Sequence, residues 1–328
     1  MRCPVRNNPL LVTQLLLLTS VAVLAQETAT TSSQGPSDLK EINVIIVDNK
    51  NHSLKDVRQD DVQIIENKVP QTIEYFSYQN RPVRYGIVVD NSGSLRTQFP
   101  MVIEAAKRII NGNREHDESF IMRFVSSDSI SLVQKRTANK SELLAALAKL
   151  KPSGGQTALI DAIYVGIEQL LRYAEEDKEK AHRNVIVLIT DGENRISYYR
   201  VEQLFELLHK ANIQFFIIGF IRELDNEGGL IRKAPRVRAV EFIERIAKES
   251  AGRAFLVNKA EDVSDIVAEL NQDLHEQYVI RYRSAVDPNR KNYKIEIKVS
   301  DAQGKKKRRA IMRQSYILDF LTPLNVKR

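Results

Sequence analysis

Apolar positions along this chain fall into three successive rhythms. Between residues 41 and 78 they recur at every second place. Ile42, Val44 and Ile46 alternate with other residues, Val62 and Ile64 open a second run, and residues 72–76 lead back after Glu66-Asn67-Lys68. Period two with Asp48-Asn49-Lys50-Asn51 and similar turns between the runs predicts antiparallel strands. Between residues 81 and 277 short apolar runs alternate with amphipathic stretches. Strands are predicted at 83–89, 120–125, 185–189, 213–220 and 254–257. The runs at 185 and 213 are continuously apolar, the pattern of strands buried on both faces. Val102, Ala105, Ala106, Ile109 and Ile110 follow the i, i+3, i+4, i+7, i+8 spacing of a buried helical stripe. Residues 143–150, 159–171, 201–208, 242–247 and 263–274 read likewise. The tail returns to period two at 278–282 and 293–299, with a further strand expected at 313–318.

Alternating strands and helices imply an α/β fold: a doubly wound, mostly parallel sheet covered by helices on both faces. The strands of 39–80 and 278–328 are too few on each side to stand alone. The expectation is that they pack together as a small β-sandwich-like module around an inserted α/β domain, residues 81–277. The alternative is two separate β appendages.

The first residues change the picture. Arg2 and Arg6 precede an apolar run from Pro9 to Ala25, broken by Thr13, Gln14, Thr19 and Ser20 and ending in Val23-Leu24-Ala25. Residues 1–25 therefore read as a signal peptide cleaved after Ala25, which places the mature chain in the periplasm or outside the cell. An uncleaved anchor is the rival reading. The uninterrupted apolar stretches are short for a membrane span, so no stable span is expected after cleavage. Residues 26–38, rich in Thr, Ser, Gln, Gly and Pro, read as a flexible linker.

Composition adds exclusions. The 328 residues are 43% hydrophobic and 28% charged, as in an ordinary globular protein of about two domains. The only cysteine is Cys3, which excludes a disulfide framework, a cysteine zinc site and a thiol nucleophile in the mature chain. The net charge is +7, or +5 without Arg2 and Arg6. Its one dense run, Lys305-Lys306-Lys307-Arg308-Arg309, follows Asp301-Ala302-Gln303-Gly304 and reads as a solvated hairpin tip. Export argues against nucleic acid as a partner.

Three segments carry the candidate chemistry. The strand at 83–89 runs into Asp90-Asn91-Ser92-Gly93-Ser94, and the strand at 185–189 into Thr190-Asp191-Gly192-Glu193. Lys151-Pro152-Ser153-Gly154-Gly155-Gln156 delivers Thr157 to the start of a helix. In an open α/β sheet ligands bind beyond the carboxyl ends of the strands, where all three converge. Taken singly, each is a common turn or helix cap. Together they supply three hydroxyls and two carboxylates. An all-oxygen set suits a hard cation such as Mg²⁺, with Mn²⁺ or Ca²⁺ as alternatives, rather than zinc or copper.

Asp90-x-Ser92-x-Ser94, Thr157, and Asp191 in a Thr-Asp-Gly turn resemble the metal-ion-dependent adhesion site of von Willebrand factor type A and integrin I domains. Val88-Val89-Asp90-Asn91-Ser92-Gly93-Ser94 and Gln156-Thr157-Ala158-Leu159-Ile160-Asp161-Ala162 resemble a bacterial exported subgroup. The resemblance covers about residues 81 to 277 and implies a Rossmann-like sheet. It further implies that Ser92 and Ser94 bind the metal directly, Thr157 directly or through water, and Asp90 and Asp191 mainly through bound water. One coordination position then stays open for a carboxylate of a protein partner. In the family the last helix, here 263–274, can move when the metal shell rearranges. Asp161 is expected to favour the helix dipole, and Glu193 and Asn194 to form a rim.

A metal-dependent hydrolase and a scaffold without metal are the rival classes. His52, His116, His182, His209 and His275 lie outside the motifs and show no i, i+4 zinc pair. There is no Gly-x-Ser-x-Gly elbow and no phosphate loop. A hydrolase would also want carboxylates directly on its metal. A binding module, not an enzyme, is the expected class.

Overall fold

The computed structural model describes residues 39–177, 182–225, 227, 233–285, 292–300, 307–313 and 315–317, with the backbone alone at 292–293 and 315–317. The expected signal peptide, the linker, Cys3, and Lys305 and Lys306 of the basic run lie outside the described residues.

The chain opens with β1 (Leu39–Val47), β2 (Val62–Glu66), β3 (Val69–Gln71) and β4 (Ile73–Asn80). There follow β5 (Val83–Asp90), α1 (Phe99–Asn111), β6 (Glu118–Phe124), β7 (Ser131–Thr137), α2 (Lys140–Leu147), α3 (Leu159–Glu176) and β8 (Arg183–Thr190). Next come α4 (Val201–Lys210), β9 (Gln214–Gly219), α5 (Pro235–Glu249), β10 (Arg253–Leu256) and α6 (Asp262–His275). The tail adds β11 (Glu276–Arg283), β12 (Asn292–Val299), β13 (Arg309–Ile311) and β14 (Ser315–Ile317).

The central sheet has the order β10-β9-β8-β5-β6-β7. All neighbours are parallel except β7, which runs antiparallel to β6. This is the α/β, mostly parallel architecture expected. Burial follows from the pleat: successive residues of a strand face opposite sides. Tyr85, Ile87, Val89, Val185, Val187 and Ile189 join one core with α1, α2 and α6. Val88, Ile186 and Leu188 join the other with α3, α4 and α5. Each fully buried aliphatic side chain contributes about 1.5–3 kcal/mol. A strand apolar on both faces is therefore fixed at the centre of the sheet, and its polar terminus is carried to a set position at the rim.

Two four-stranded antiparallel sheets flank this body, β13-β1-β11-β4 and β14-β12-β2-β3. Ile42, Val44, Ile46, Tyr278, Ile280 and Tyr282 from the first share a core with Val62, Ile64 and Ile295 from the second. The opposite face of β1 places Ile45 and Val47 in the core of the α/β body.

The chain enters and leaves the α/β body side by side. Arg81 and Pro82 link β4 to β5, α6 passes into β11 without an intervening residue, and Glu276 pairs with Asn80. Polar side chains bind the junction. Asp117 accepts from the Val83 amide at 2.9 Å and meets Nε2 of buried His275 at 2.7 Å, which holds its carboxyl below the usual range despite burial. The Arg183 guanidinium donates to the Leu274 carbonyl, and Glu276 receives Arg114 at 2.7 Å, Lys55 at 2.8 Å and Tyr78 at 2.9 Å.

Several details depart from the sequence expectations. β7 has no counterpart among the predicted strands, because it offers only one apolar residue to each face, Leu132 and Val133, among polar neighbours. The third tail strand, expected at 313–318, forms over the shorter span of β14, and an additional strand, β13, precedes it; Arg313 turns inward to the carbonyls of Leu208 and Ala211 at 3.1 and 2.8 Å. Arg309 of the basic run lies in β13 rather than in a turn, its guanidinium on Asn51 at 2.8 Å, and Arg308 faces Asp61 at 3.5 Å.

Gly86, in the middle of β5, has the Phe120 ring laid against it: a Cβ there would lie 2.3 Å from the ring. Gly86→Ala should destabilise the protein by about 1–3 kcal/mol through over-packing, read as a lower midpoint with an unchanged slope in urea unfolding.

Candidate metal centre

After β5 the chain moves to β6 on one side, and it later returns to place β8 on the other. The carboxyl ends of β5 and β8 therefore flank a topological switch point, where helices leave on opposite faces and a crevice opens. Asp90 is the last residue of β5, and Asp191 follows the last residue of β8. Both are buried, at 0% and 1% exposure.

The Asp90 carboxylate is held at both oxygens. Oδ1 accepts from the Ser92 amide at 2.9 Å, and Oδ2 from the Thr190 hydroxyl at 2.7 Å. Asp191 accepts from the Ser94 hydroxyl at 2.6 Å and from the Glu193 amide at 2.9 Å. The hydroxyls of Ser92 and Ser94 lie 2.9 Å apart. Four of the five motif residues thus form one hydrogen-bonded chain. Thr157 is also buried, at 1% exposure, on the segment whose Ser153 is tied to Asn91. Its hydroxyl does not cap α3, which begins at Leu159 with Ala158 as its uncapped preceding residue.

Three loops carrying these residues are tied to one another by the backbone. The Ser153 amide donates to the Asn91 carbonyl at 2.7 Å, and the Asn91 side chain to the Lys151 carbonyl at 2.9 Å. The amides of Arg195 and Ile196 both donate to the Thr157 carbonyl, at 2.8 and 3.2 Å. Gly192 permits the sharp turn after Asp191. Its φ is +81°, and a Cβ there would lie 3.1 Å from that of Ala239 in α5.

Electrostatically the site is short of positive charge. Burial, followed by repulsion from Asp191, pushes the Asp90 carboxyl up to about 7. Asp191 is likewise raised, first by burial. Among the described residues neither carboxylate forms an ion pair. Arg195 is engaged by Glu193 at 2.9 Å. Two buried carboxylates and three hydroxyls, all oxygen and with no partner cation, are a donor set that fits a hard divalent ion.

The neighbours anticipated from sequence have different duties. Asp161 is more than a first-turn acid. It accepts from the Ser127 hydroxyl and from the amides of Tyr198 and Tyr199 at 2.8 and 2.9 Å, pinning the loop that precedes α4. Asn194, expected on the rim, is exposed, and its side-chain oxygen accepts from the Ile160 amide at 3.2 Å, capping α3 from outside. Sequence reasoning missed Thr190 and Asn91. The signal for Thr190 was a hydroxyl closing an otherwise apolar run; Asn91 gave none, since its role depends on a loop sixty residues away.

Asp161→Ala strips two amides of their acceptor. It should cost about 1–3 kcal/mol and accelerate hydrogen exchange at Tyr198 and Tyr199 above that of α3, as read by mass spectrometry.

Residues 86–269, more than half of the chain, match the family model of the von Willebrand factor type A domain. No curated protein sequence matches the chain. Among solved structures it is similar to the conserved hypothetical protein BatB from Bacteroides thetaiotaomicron, at 19% identity over 58% of this chain and 98% of that one, with a TM-score of 0.44. It is similar to a von Willebrand factor type A protein from Catenulispora acidiphila, at 11% identity over 87% and 75% of the two chains, with a TM-score of 0.48. It is also similar to proximal thread matrix protein 1 of the mussel byssus, in a form whose MIDAS motif is occupied by zinc, at 19% identity over 64% and 50%, with a TM-score of 0.46. The chain belongs to the von Willebrand factor type A domain family.

Proposed function

We propose that this protein is an exported, metal-dependent protein-binding module of the adhesion type, which grips an acidic side chain of a partner through a divalent cation. Domains of this family are generally interaction modules. The observation that carries the reading is the buried pair Asp90 and Asp191, joined through Ser92 and Ser94 and without an ion pair among the described residues. Ser92, Ser94 and Thr157 would hold the ion through their hydroxyls, and Asp90 and Asp191 would orient its bound water. Neutral oxygens in direct contact leave the ion strongly electrophilic. A partner carboxylate then supplies a charge-assisted contact that a neutral side chain cannot match. Mg²⁺ is the favoured ion, because it takes oxygen donors and keeps several waters.

No catalytic step is assigned. Both carboxylates are engaged by neighbouring donors, and none of the histidines belongs to the motif segments. Action outside the cytoplasm rests on the leader-like pattern of residues 1–25. Among the described residues no helix is long and apolar enough to cross a membrane. The α/β body, 81–277, and the flanking strands, 39–80 and 278–328, are proposed as its two working parts.

Titration calorimetry with Mg²⁺ and Mn²⁺ tests the site. Wild type should bind one ion, and Ser92→Ala with Ser94→Ala should weaken binding by on the order of ten-fold or more. An unchanged isotherm in the double variant would remove the site. Stability should also depend on pH in a defined direction. Without metal, the folded state keeps the Asp90 proton up to about 7, whereas an unfolded Asp releases it near 3.8. Metal-free stability should therefore fall as pH rises through that window, because the folded state binds more protons there. Saturating Mg²⁺ should raise Tm more at pH 8 than at pH 5, measured by scanning calorimetry.

A further inference from the structure

Beside the motif, residues 191–200 form neither helix nor strand, yet they are held throughout. The amides of Arg195 and Ile196 share the Thr157 carbonyl, Asn194 takes the Ile160 amide, and Asp161 takes the amides of Tyr198 and Tyr199. The Tyr199 ring stacks on Tyr164 with centroids 3.7 Å apart and planes 8° from parallel. A loop anchored in this way is pre-organised.

Two large apolar side chains nonetheless point out of it. Ile196 is 55% exposed and Tyr198 is 83% exposed. The other exposed large apolar residues among those described are Leu39, Val69, Tyr75 and Val237, spread over four separate elements. A single exposed apolar side chain is ordinary. Two of them, two positions apart, on an immobilised loop that lies across Thr157, form a ledge. Fixed aromatic and aliphatic groups on a rigid loop are what hot spots of an interface are made of, since little side-chain freedom is lost on binding. The ledge carries little net charge, because Arg195 lies against Glu193.

We propose that Ile196 and Tyr198 form the specificity-determining subsite of the metal centre, and that the partner is a protein segment carrying a large aliphatic or aromatic residue within two positions of the carboxylate that meets the ion. This rests on the metal-grip reading above. The geometry supplies the spacing. The Ile196 amide bonds to the Thr157 carbonyl at 3.2 Å, so the ledge adjoins the metal-bearing loop, and each residue of an extended partner would advance about 3.3 Å along it. Charge complementarity supplies the acid, and the ledge supplies its neighbour.

The test uses the full chain, immobilised in Mg²⁺, and two random peptide pools. One pool has a fixed central Glu, the other a fixed central Gln, and retained peptides are sequenced. The expected result is retention of the Glu pool, release by chelator, and enrichment of Leu, Ile, Phe or Tyr within two positions of the Glu. In Ile196→Ser with Tyr198→Ser that enrichment should fall roughly ten-fold, the size of one modest hot-spot contact. Mg²⁺ binding by the variant, measured by calorimetry, is the folding control. Retention of the Glu pool with no apolar enrichment, or with the same enrichment in the variant, overturns the ledge and leaves the metal grip standing. Equal retention of the Glu and Gln pools overturns both.

Discussion

Two carboxylates kept out of water at the ends of adjacent strands set the terms for everything around them. Asp90 and Asp191 are as buried as the core, and each negative charge raises the cost of the other. A fold would not tolerate such a pair without compensation. Part of it is internal: the hydroxyls of Thr190 and Ser94 and the amides of Ser92 and Glu193 turn toward the carboxylates. Those donors soften the repulsion without neutralising it. The remaining deficit is a consequence of where β5 and β8 end, and it is what the proposed cation would offset.

The loops answer a second constraint. A centre assembled from three distant stretches of sequence must not pay the entropy of ordering them each time it is used. Here the ordering is done in advance by main-chain hydrogen bonds from loop to loop, and by Asn91, Asp161 and Asn194 acting as side-chain substitutes for secondary structure. The Asp161 and Asn194 ties also explain how polar side chains are accommodated near the rim. Each meets backbone groups that helix and sheet leave unpaired.

Much of this was legible from residue order. Strands apolar on both faces, such as β8 and β9, announce themselves because nothing but a buried sheet accommodates them, and α1 does so through its stripe from Val102 to Ile110. The order of motifs marked Asp90, Ser92, Ser94, Thr157 and Asp191, of which Asp90, Ser92, Ser94 and Asp191 form one hydrogen-bonded chain. The hidden parts share a physical cause, in that they depend on partners remote in sequence. β7 is strand only because β6 offers it an edge. Asn194 reads as a solvated loop residue until α3 presents an uncapped amide to it. Arg313 reads as a surface cation until the carbonyls ending α4 draw it in. Local pattern reports what a segment prefers, and these residues follow what a neighbour lacks.

The join between α6 and β11 has a further consequence. Entry into the α/β body at Arg81 and exit from it at Glu276 sit side by side on neighbouring strands, so the body is connected like a cassette plugged into a two-pin socket. Evolution or an engineer can exchange such a cassette whole, because both cut points fall within one short stretch of ladder. The same arrangement means that a pull on the α/β body would reach the β sheets through the β4–β11 ladder and, in parallel, through Ile45 and Val47 in its core and Arg313 on the end of α4, so the load is shared between a covalent and a packed route.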